Sequence, residues 1–351
     1  MHLRLAVPRV EELAALCALG GLVQLAFALK SLLAARRPGP AWSSPPSVRV
    51  YVTCKGAPPP FLENARALLS QDYAGPWSVV FVTPASGDPA AVALRGPELA
   101  ALKPEVLSSG VVPERCSGQA ADLVWALAAE RPGADVLVFA DADGRVGRDW
   151  LSELVAPLAD PGVGVSSVGA VPVPRRLGGW GLLRAAWVAS GLPFFSEMGL
   201  VCGQSMAVLR RDFERWDVAA DWSRCVGDDF VLARLARAAG RRPRLAFRAM
   251  PADCEDCGAG AFWAVLNKWA VYFRVHAPGL WTLALASTAF KVYCVWRGLW
   301  PVPRPLLLGA LWGGDAAFLA LTLLLLASLR PAVFEGLPGG RAALVGTAVL
   351  A

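Results

Sequence analysis

Apolar and polar positions divide the chain into three zones. Leu13 to Leu33 reads LAALCALGGLVQLAFALKSLL, about the length needed to cross a bilayer, with Lys30 as its one ionised side chain. Lys30 lies near one end, where its stem can snorkel. The apolar run is longer than a signal-peptide core, and no clean small-residue cleavage site follows it. Residues 1–37 therefore read as a retained anchor rather than a cleaved leader. Arg36 and Arg37 follow, and the positive-inside rule places the next domain on the cytoplasmic side. PGPAWSSPPS, residues 38–47, is a Pro/Ser linker. From Val48 short apolar runs alternate with helical spacing. VRVYVT (48–53), WSVVFV (77–82), DVLVFA (135–140) and 163–171 predict strands; 61–69, 119–130 and 150–158 predict helices. Such alternation predicts a mostly parallel sheet in an α/β domain over 48–278, with strands apolar enough to be covered on both faces. From 279 to the end the chain is apolar again. Leu280–Trp300 is a possible span interrupted by Lys291 and Arg297. Leu306–Leu329 is a better one with Asp315 inside it, and the closing LVGTAVLA reads as part of a last helix. Asp315 is either functional or seated in a wet gap between helices.

Composition agrees: of 351 residues 55% are hydrophobic and 18% charged, greasier than an ordinary soluble protein. The net charge of +6 is modest, and the arginines lack dense aromatic interleaving. Nucleic acid is therefore not an expected partner, whereas an anionic membrane surface is compatible. Eight cysteines form no disulfide framework in a chain this long. Cys254 and Cys257 make a single CxxC, either small residues in a turn or the basis of a thiol oxidoreductase. Trp180 to Phe195, broken by Gly191 and Pro193, is expected in the membrane interface or in the core.

Candidate chemistry is acidic. DVLVFADADGRV aims Asp141 and Asp143 off the end of a strand, where α/β sheets bind ligands. If the backbone stays extended, the two carboxylates share a side. They then repel unless a hard cation such as Mg²⁺ or Mn²⁺ lies between them, usually with phosphate as its other partner. DADG is equally an ordinary polar turn. Asp228 and Asp229 precede a helix whose buried face is expected at Phe230, Val231, Leu232, Leu235 and Ala238, either as cap and dipole complement or as chemistry. The two histidines, His2 and His276, lie outside these motifs, and no Ser-His or Cys-His nucleophile stands out.

In this order the motifs resemble the ceramide glucosyltransferase family and, more broadly, the inverting family-two glycosyltransferases with a GT-A fold. VTCKGAPPPFLENARALLSQDY is similar to the family's opening. VVFVTPASGDPA places its first aspartate at Asp88, FADADGRV its second at Asp141 with Asp143 beside it, and VGDDFVLARLARAAG its third at Asp229. CGQSMAVLRRDF is similar to the segment lining the acceptor side. The resemblance implies a membrane-bound transferase that moves a hexose, glucose first, from a UDP-sugar to a lipid hydroxyl such as ceramide. Asp229 would be the general base, Asp88 would contact the nucleoside, and a divalent metal would sit at Asp141 and Asp143. The implied membrane is the inner one in a bacterium, or the Golgi or ER in a eukaryote. The family's (Gln/Arg)-x-x-Arg-Trp motif falls on VLNKW, with Trp269 kept, Lys268 in place of Arg and Val265 in place of the polar residue. Lysine keeps the charge without bidentate phosphate geometry, and Trp269 also suits a membrane-interface aromatic. Gly87 removes one acid of the usual DDPA, and a helical lysine stands here as Gln119. A processive polysaccharide synthase shares the aspartates, and a degenerate, non-catalytic membrane scaffold shares the departures.

Overall fold

The computed structural model describes residues 8–36, 40–130, 133–176 and 178–329; Arg37 and the LVGTAVLA end lie outside them. In chain order the elements are α1 (Val10–Arg36), β1 (Val48–Thr53), α2 (Phe61–Leu68), β2 (Trp77–Thr83), α3 (Pro89–Leu94), β3 (Glu105–Ser108), α4 (Gly118–Glu130), β4 (Val136–Asp141), β5 (Gly144–Arg145), α5 (Trp150–Val155), β6 (Val163–Ser167) and β7 (Val171–Pro172). They continue with α6 (Gly179–Glu197), β8 (Ser205–Leu209), α7 (Arg210–Arg215), α8 (Val218–Trp222), α9 (Asp228–Ala238), β9 (Arg242–Leu245), β10 (Ala252–Asp253), α10 (Ala259–His276), α11 (Pro278–Leu299) and α12 (Pro305–Leu329).

The main sheet has the order β3-β2-β1-β4-β8-β6-β9. All its pairings are parallel except those of β8, which runs against β4 and β6. Alternate residues of each central strand enter different cores. Val50, Val52, Val136, Val138 and Ala140 pack beneath α2, α3 and α5. Tyr51, Leu137 and Phe139 pack against α4, α8 and α9, where Phe139 meets Phe213 and Trp222. A sheet covered on both faces is what continuous apolar strands require.

Several sequence expectations change. The run 163–171 is two strands, because the chain leaves the main sheet after Ser167 and β7 joins β5 and β10 in a small second sheet. The stretch around Trp180–Phe195 is one helix despite Gly191 and Pro193. Pro193 lies inside it and forfeits one backbone bond, while Gly181, Ala185, Ala189 and Leu192 give it a buried face. Asp228 and Asp229 do not precede α9 but open it, with Gly227 at the N-cap. Its buried residues are Asp228, Val231, Leu232, Ala233 and Ala236, since Phe230 turns to stack on His276.

Among the described residues two helices are long and apolar enough to cross a membrane, α1 and α12; α11, which carries Lys291 and Arg297, is not one of them. α1 and α12 run in the same direction. Leu13, Ala14 and Cys17 cluster with Leu307 and Leu311, and Ala28 with Phe318. Between these contacts Gly21 and Gly314 meet so closely that a Cβ on Gly314 would lie 2.9 Å from the Gly21 Cα. The ionised residues of these segments are partnered: Lys291 Nζ lies 2.6 Å from Asp315 Oδ2, and Lys30 Nζ lies 2.6 Å from Glu197 Oε2 on α6. Lys30 therefore pairs with α6, and Asp315 is held by the preceding helix.

Candidate active site

The carboxyl ends of β1, β2 and β4 converge. Thr53 pairs with Asp141 across β1 and β4, and Cys54 donates its N–H to Val82. Beyond β1 the chain turns at Gly56, whose φ of +71° is left-handed and favours glycine. That turn is tied to α3 by Asp88. Its Oδ1 accepts from the Gly56 N–H at 2.9 Å and caps α3 through the Ala90 N–H at 2.8 Å. Asp88 thus fixes the geometry of the loop over which a ligand would lie.

Asp141 ends β4. Its N–H donates to Gln204 O at 3.2 Å, and its Oδ1 accepts from Gln119 Nε2 at 3.0 Å. Gln119 is therefore a direct partner of the motif and not only a missing lysine. The backbone turns at Ala142 and Asp143 instead of staying extended, so strand alternation does not bring the pair together. The turn nevertheless keeps Asp143 near enough to Asp141 for the Asp141 charge to raise it. Asp228 arrives from across the site. It is buried, and its carbonyl is held by the indole N–H of Trp222 at 3.0 Å. Asp229 Oδ1 accepts from the Phe230 N–H at 2.7 Å. Its Oδ2 faces Gly203 of the CGQS segment so closely that a Cβ there would lie 3.6 Å away.

The electrostatics of this group are unfavourable without a cation. Burial pushes all four carboxyls above the ordinary carboxylate range, and mutual repulsion adds to it. Asp228 raises Asp141, Asp229 raises Asp228, and Asp141 raises both Asp143 and Asp229. Lys268, exposed on α10, offsets Asp141 and Asp228 from a distance, and its ammonium lies 5.9 Å from the Tyr272 ring centroid. Asp143 Oδ1 and Asp228 Oδ2 are buried with no hydrogen-bond partner. Orphaned anionic oxygens are costly, and a hard divalent cation is the group that would satisfy them. Among the described residues no three His, Cys, Asp or Glu side chains form a ready cage, so such an ion would complete its shell with water or phosphate oxygens.

Sequence reasoning passed over a second layer. Arg184 of α6 pairs with the buried Asp253 of β10, and both, with Glu255, act on Asp143. Arg184 Nε is itself buried without a partner. The stretch PADCEDC thus contributes its acids, Asp253 and Glu255, to the site. Cys254 and Cys257 are both free, and burial pushes the Cys254 thiol up, away from the thiolate a redox motif needs. Trp269 packs among Trp187, Phe195 and Phe273, joining α10 to α6, with Trp187 at 5.1 Å between ring centroids.

The profile of glycosyl transferase family 21 matches residues 13–328. The chain belongs to glycosyl transferase family 21. The match takes in the sheet, all the carboxylates above and both apolar helices. Among solved structures, the family 21 chain is similar to the mannosyltransferase PcManGT from Pyrobaculum calidifontis in complex with GDP-Man and Mn²⁺. The TM-score is 0.50 at 21% identity, over 97% of this chain and 92% of that one, a likeness of fold. Glucosyl-3-phosphoglycerate synthase from Mycobacterium tuberculosis, in complex with Mn²⁺, UDP and glucosyl-3-phosphoglycerate, is 15% identical over 59% of this chain and 77% of that one, with a TM-score of 0.37. No curated protein matches the chain. The fold is the mixed, mostly parallel α/β architecture of GT-A type, and the family makes the protein a glycosyltransferase.

Proposed function

We propose that this protein transfers a hexose, glucose in the first instance, from a UDP-sugar to the hydroxyl of a membrane lipid such as ceramide, with inversion at the anomeric carbon. The observation that carries the reading is the meeting of Asp141, Asp143, Asp228 and Asp229 beyond the carboxyl end of the central strand β4, two of them with orphaned buried oxygens. Asp229 accepts the proton of the acceptor hydroxyl as its oxygen attacks the anomeric carbon. The new glycosidic C–O bond forms as the bond to the diphosphate breaks, and the nucleoside diphosphate leaves with the electron pair. Burial that raises Asp229 strengthens it as a proton acceptor. Asp141 and Asp143 would hold a divalent ion, Mg²⁺ or Mn²⁺, which when bound supplies charge neutralisation for the diphosphate. The Mn²⁺ and GDP-Man bound to PcManGT support such a pairing. Asp88 positions the Gly56 turn and has its second oxygen for the nucleoside. Lys268 adds a mobile positive charge, and Trp269 fixes α10 against α6.

α1 and α12, together with the aromatic contacts between α6 and α10, support a multi-pass membrane protein with a cytoplasmic catalytic domain facing the leaflet that holds its acceptor. The test is release of UDP from UDP-glucose by the detergent-purified protein, with and without ceramide, in Mn²⁺, Mg²⁺ or chelator. Ceramide-stimulated, metal-dependent release that Asp229→Asn abolishes supports the reading. Wild-type release that stays at the variant's background across several sugars and lipids makes the protein a scaffold.

A further inference from the structure

We propose that Arg184 and Asp253 are positioning residues for the divalent cation: the ion pair between them fixes the short strand that follows Asp143 and leaves the Asp143 carboxylate open to the metal. The proposal rests on the reading of Asp141 and Asp143 as the cation site and adds what holds that site in shape.

The two carboxylates are held in different ways. Asp141 ends a strand of the main sheet, and its Oδ1 accepts from Gln119. Asp143 lies beyond that sheet, and among the described residues its buried Oδ1 has no donor. Its place is therefore set through its backbone, by the residue after it. Gly144 pairs with Asp253 in the antiparallel β5–β10 ladder, where paired Cα atoms lie about 4.5–5.5 Å apart. The fit is close, since a Cβ on Gly144 would lie 3.0 Å from the Pro251 Cβ. On the other side of β10, the Asp253 carbonyl accepts from the Val173 N–H at 2.7 Å. Yet β5, β7 and β10 have two residues each, and strands this short make a weak sheet on their own.

The Asp253 side chain supplies an anchor. Its Oδ1 accepts from the Glu255 N–H at 3.0 Å, and its Oδ2 pairs with Arg184 of α6. The Asp253 side chain is 3% exposed and that of Arg184 17%, so salt screens the pair far less than it would a surface one. α6 has 19 residues and packs through Trp187 and Phe195 on Trp269 of α10. Arg184 thus fastens a two-residue strand to a long, well-packed helix, one ladder pair from Asp143. Two features set this tie apart from one that serves packing alone. It gathers charge at the site, because Asp253 and Glu255 stand beside Asp143 with Arg184 offsetting them. It also carries a cost, because Arg184 Nε is buried without a partner among the described residues. An apolar pair at 184 and 253 would pack without that cost, since buried ion pairs contribute little net stability.

The test measures Mn²⁺ binding by the full chain in detergent, with UDP present, from the loss of the free-ion electron paramagnetic resonance signal. Arg184→Met with Asp253→Asn removes one charge of each sign, so the net charge near Asp143 is kept while the tie is lost. The Kd for Mn²⁺ should rise about 10–100-fold, the usual cost of losing the partners behind a metal ligand. The melting temperature in chelator should stay near that of the wild type. Arg184→Lys, which keeps an ion pair, should retain most of the affinity. Gly144→Ala presses on Pro251 from the other side of the ladder without touching a charge, and should also weaken Mn²⁺ binding. Wild-type affinity in the double variant, or in Gly144→Ala where the double variant does not fold, overturns the proposal. A loss of affinity that Arg184→Lys shares, with a matching fall in melting temperature, marks general loosening and overturns it as well. If the wild type itself binds no Mn²⁺, the reading of Asp141 and Asp143 fails, and this proposal with it.

Discussion

Asp229 combines two features a base needs, an orientation fixed by the Phe230 N–H and a proton affinity raised by burial. Asp229→Asn keeps the shape and removes the proton acceptor. It should lower transfer by about 10²–10⁴-fold while nucleotide-sugar binding, followed by calorimetry, survives. Gln119 acts one step further out. Its amide orients Asp141 Oδ1, so Gln119→Ala should weaken activation by Mn²⁺ by about 10-fold or more, as loss of outer-shell partners does; a metal titration of activity measures this. The same carboxylates make stability depend on pH. A carboxyl whose folded pKa is raised stabilises the fold fully below its unfolded pKa and loses that contribution as pH rises through the folded value. Asp141 is pushed up to about 6 and Asp143 to about 7. In chelator the melting temperature should therefore fall between about pH 4 and pH 7, and Mn²⁺ should raise it more at neutral than at acidic pH. A shift by Mn²⁺ that is equal at both would count against a cation site at these residues. At this scale the three aspartate motifs were readable from the sequence because each abuts a strong local pattern, a strand end or a helix start. Arg184 and Asp253 were not, because only the small β5-β10-β7 sheet carries Asp253 back to Asp143, and no local spacing records that return.

Elements set the distances between these residues. α9 begins at Gly227, where a Cβ would lie 3.1 Å from His276 Nε2 and 3.2 Å from Phe230. The end of α10 thus presses on the start of the helix that carries the base. Gly227→Ala must push one of them away. Because displacements of about 1 Å can cost 10²-fold in rate, kcat should fall by about tenfold or more. His276→Ala should restore part of it in the double variant, a coupling that a double-mutant cycle measures. The strands VRVYVT, WSVVFV and VLVFAD were readable because alternation is not needed when both faces are covered. β3 (EVLS) was not, since four residues at a sheet edge, none of them fully buried, carry too little apolar signal. α3 escaped notice because its start depends on the Asp88 cap rather than on periodicity. α6 was misread as broken because Pro193 is tolerated near the end of a helix whose packing holds it.

For the molecule as a whole, the direction of the apolar helices decides how the catalytic domain meets a membrane. α1 and α12 are parallel and touch backbone to backbone at Gly21 and Gly314. If both cross, an odd number of crossings must separate them, and the catalytic domain lies between them in the chain. α11 is the segment that can supply the return. It runs against α12, with Lys291 paired to Asp315 and Cys294 packed at Leu307 and Leu311. Its 22 residues rise about 33 Å at 1.5 Å each, enough for the hydrocarbon core of about 30 Å. Its Lys291 pairs with Asp315, and Arg297 donates to the Tyr293 hydroxyl at 3.2 Å near its end. If α11 crosses with them, the sheet, α6 and α10 lie on one side and the turn at Trp300–Arg304 on the other. A cysteine placed at Val302 in a background lacking reactive thiols should react with an impermeant maleimide from the side opposite one placed at Ser43. Labelling of both from the same face would mean that α11 lies along the surface, and that α1 and α12 do not both span. The parallel contact also predicts that Gly314→Leu, by forcing the two backbones apart, lowers the melting temperature in detergent by several degrees without moving the nucleotide-sugar KM, because the carboxylates lie on other elements.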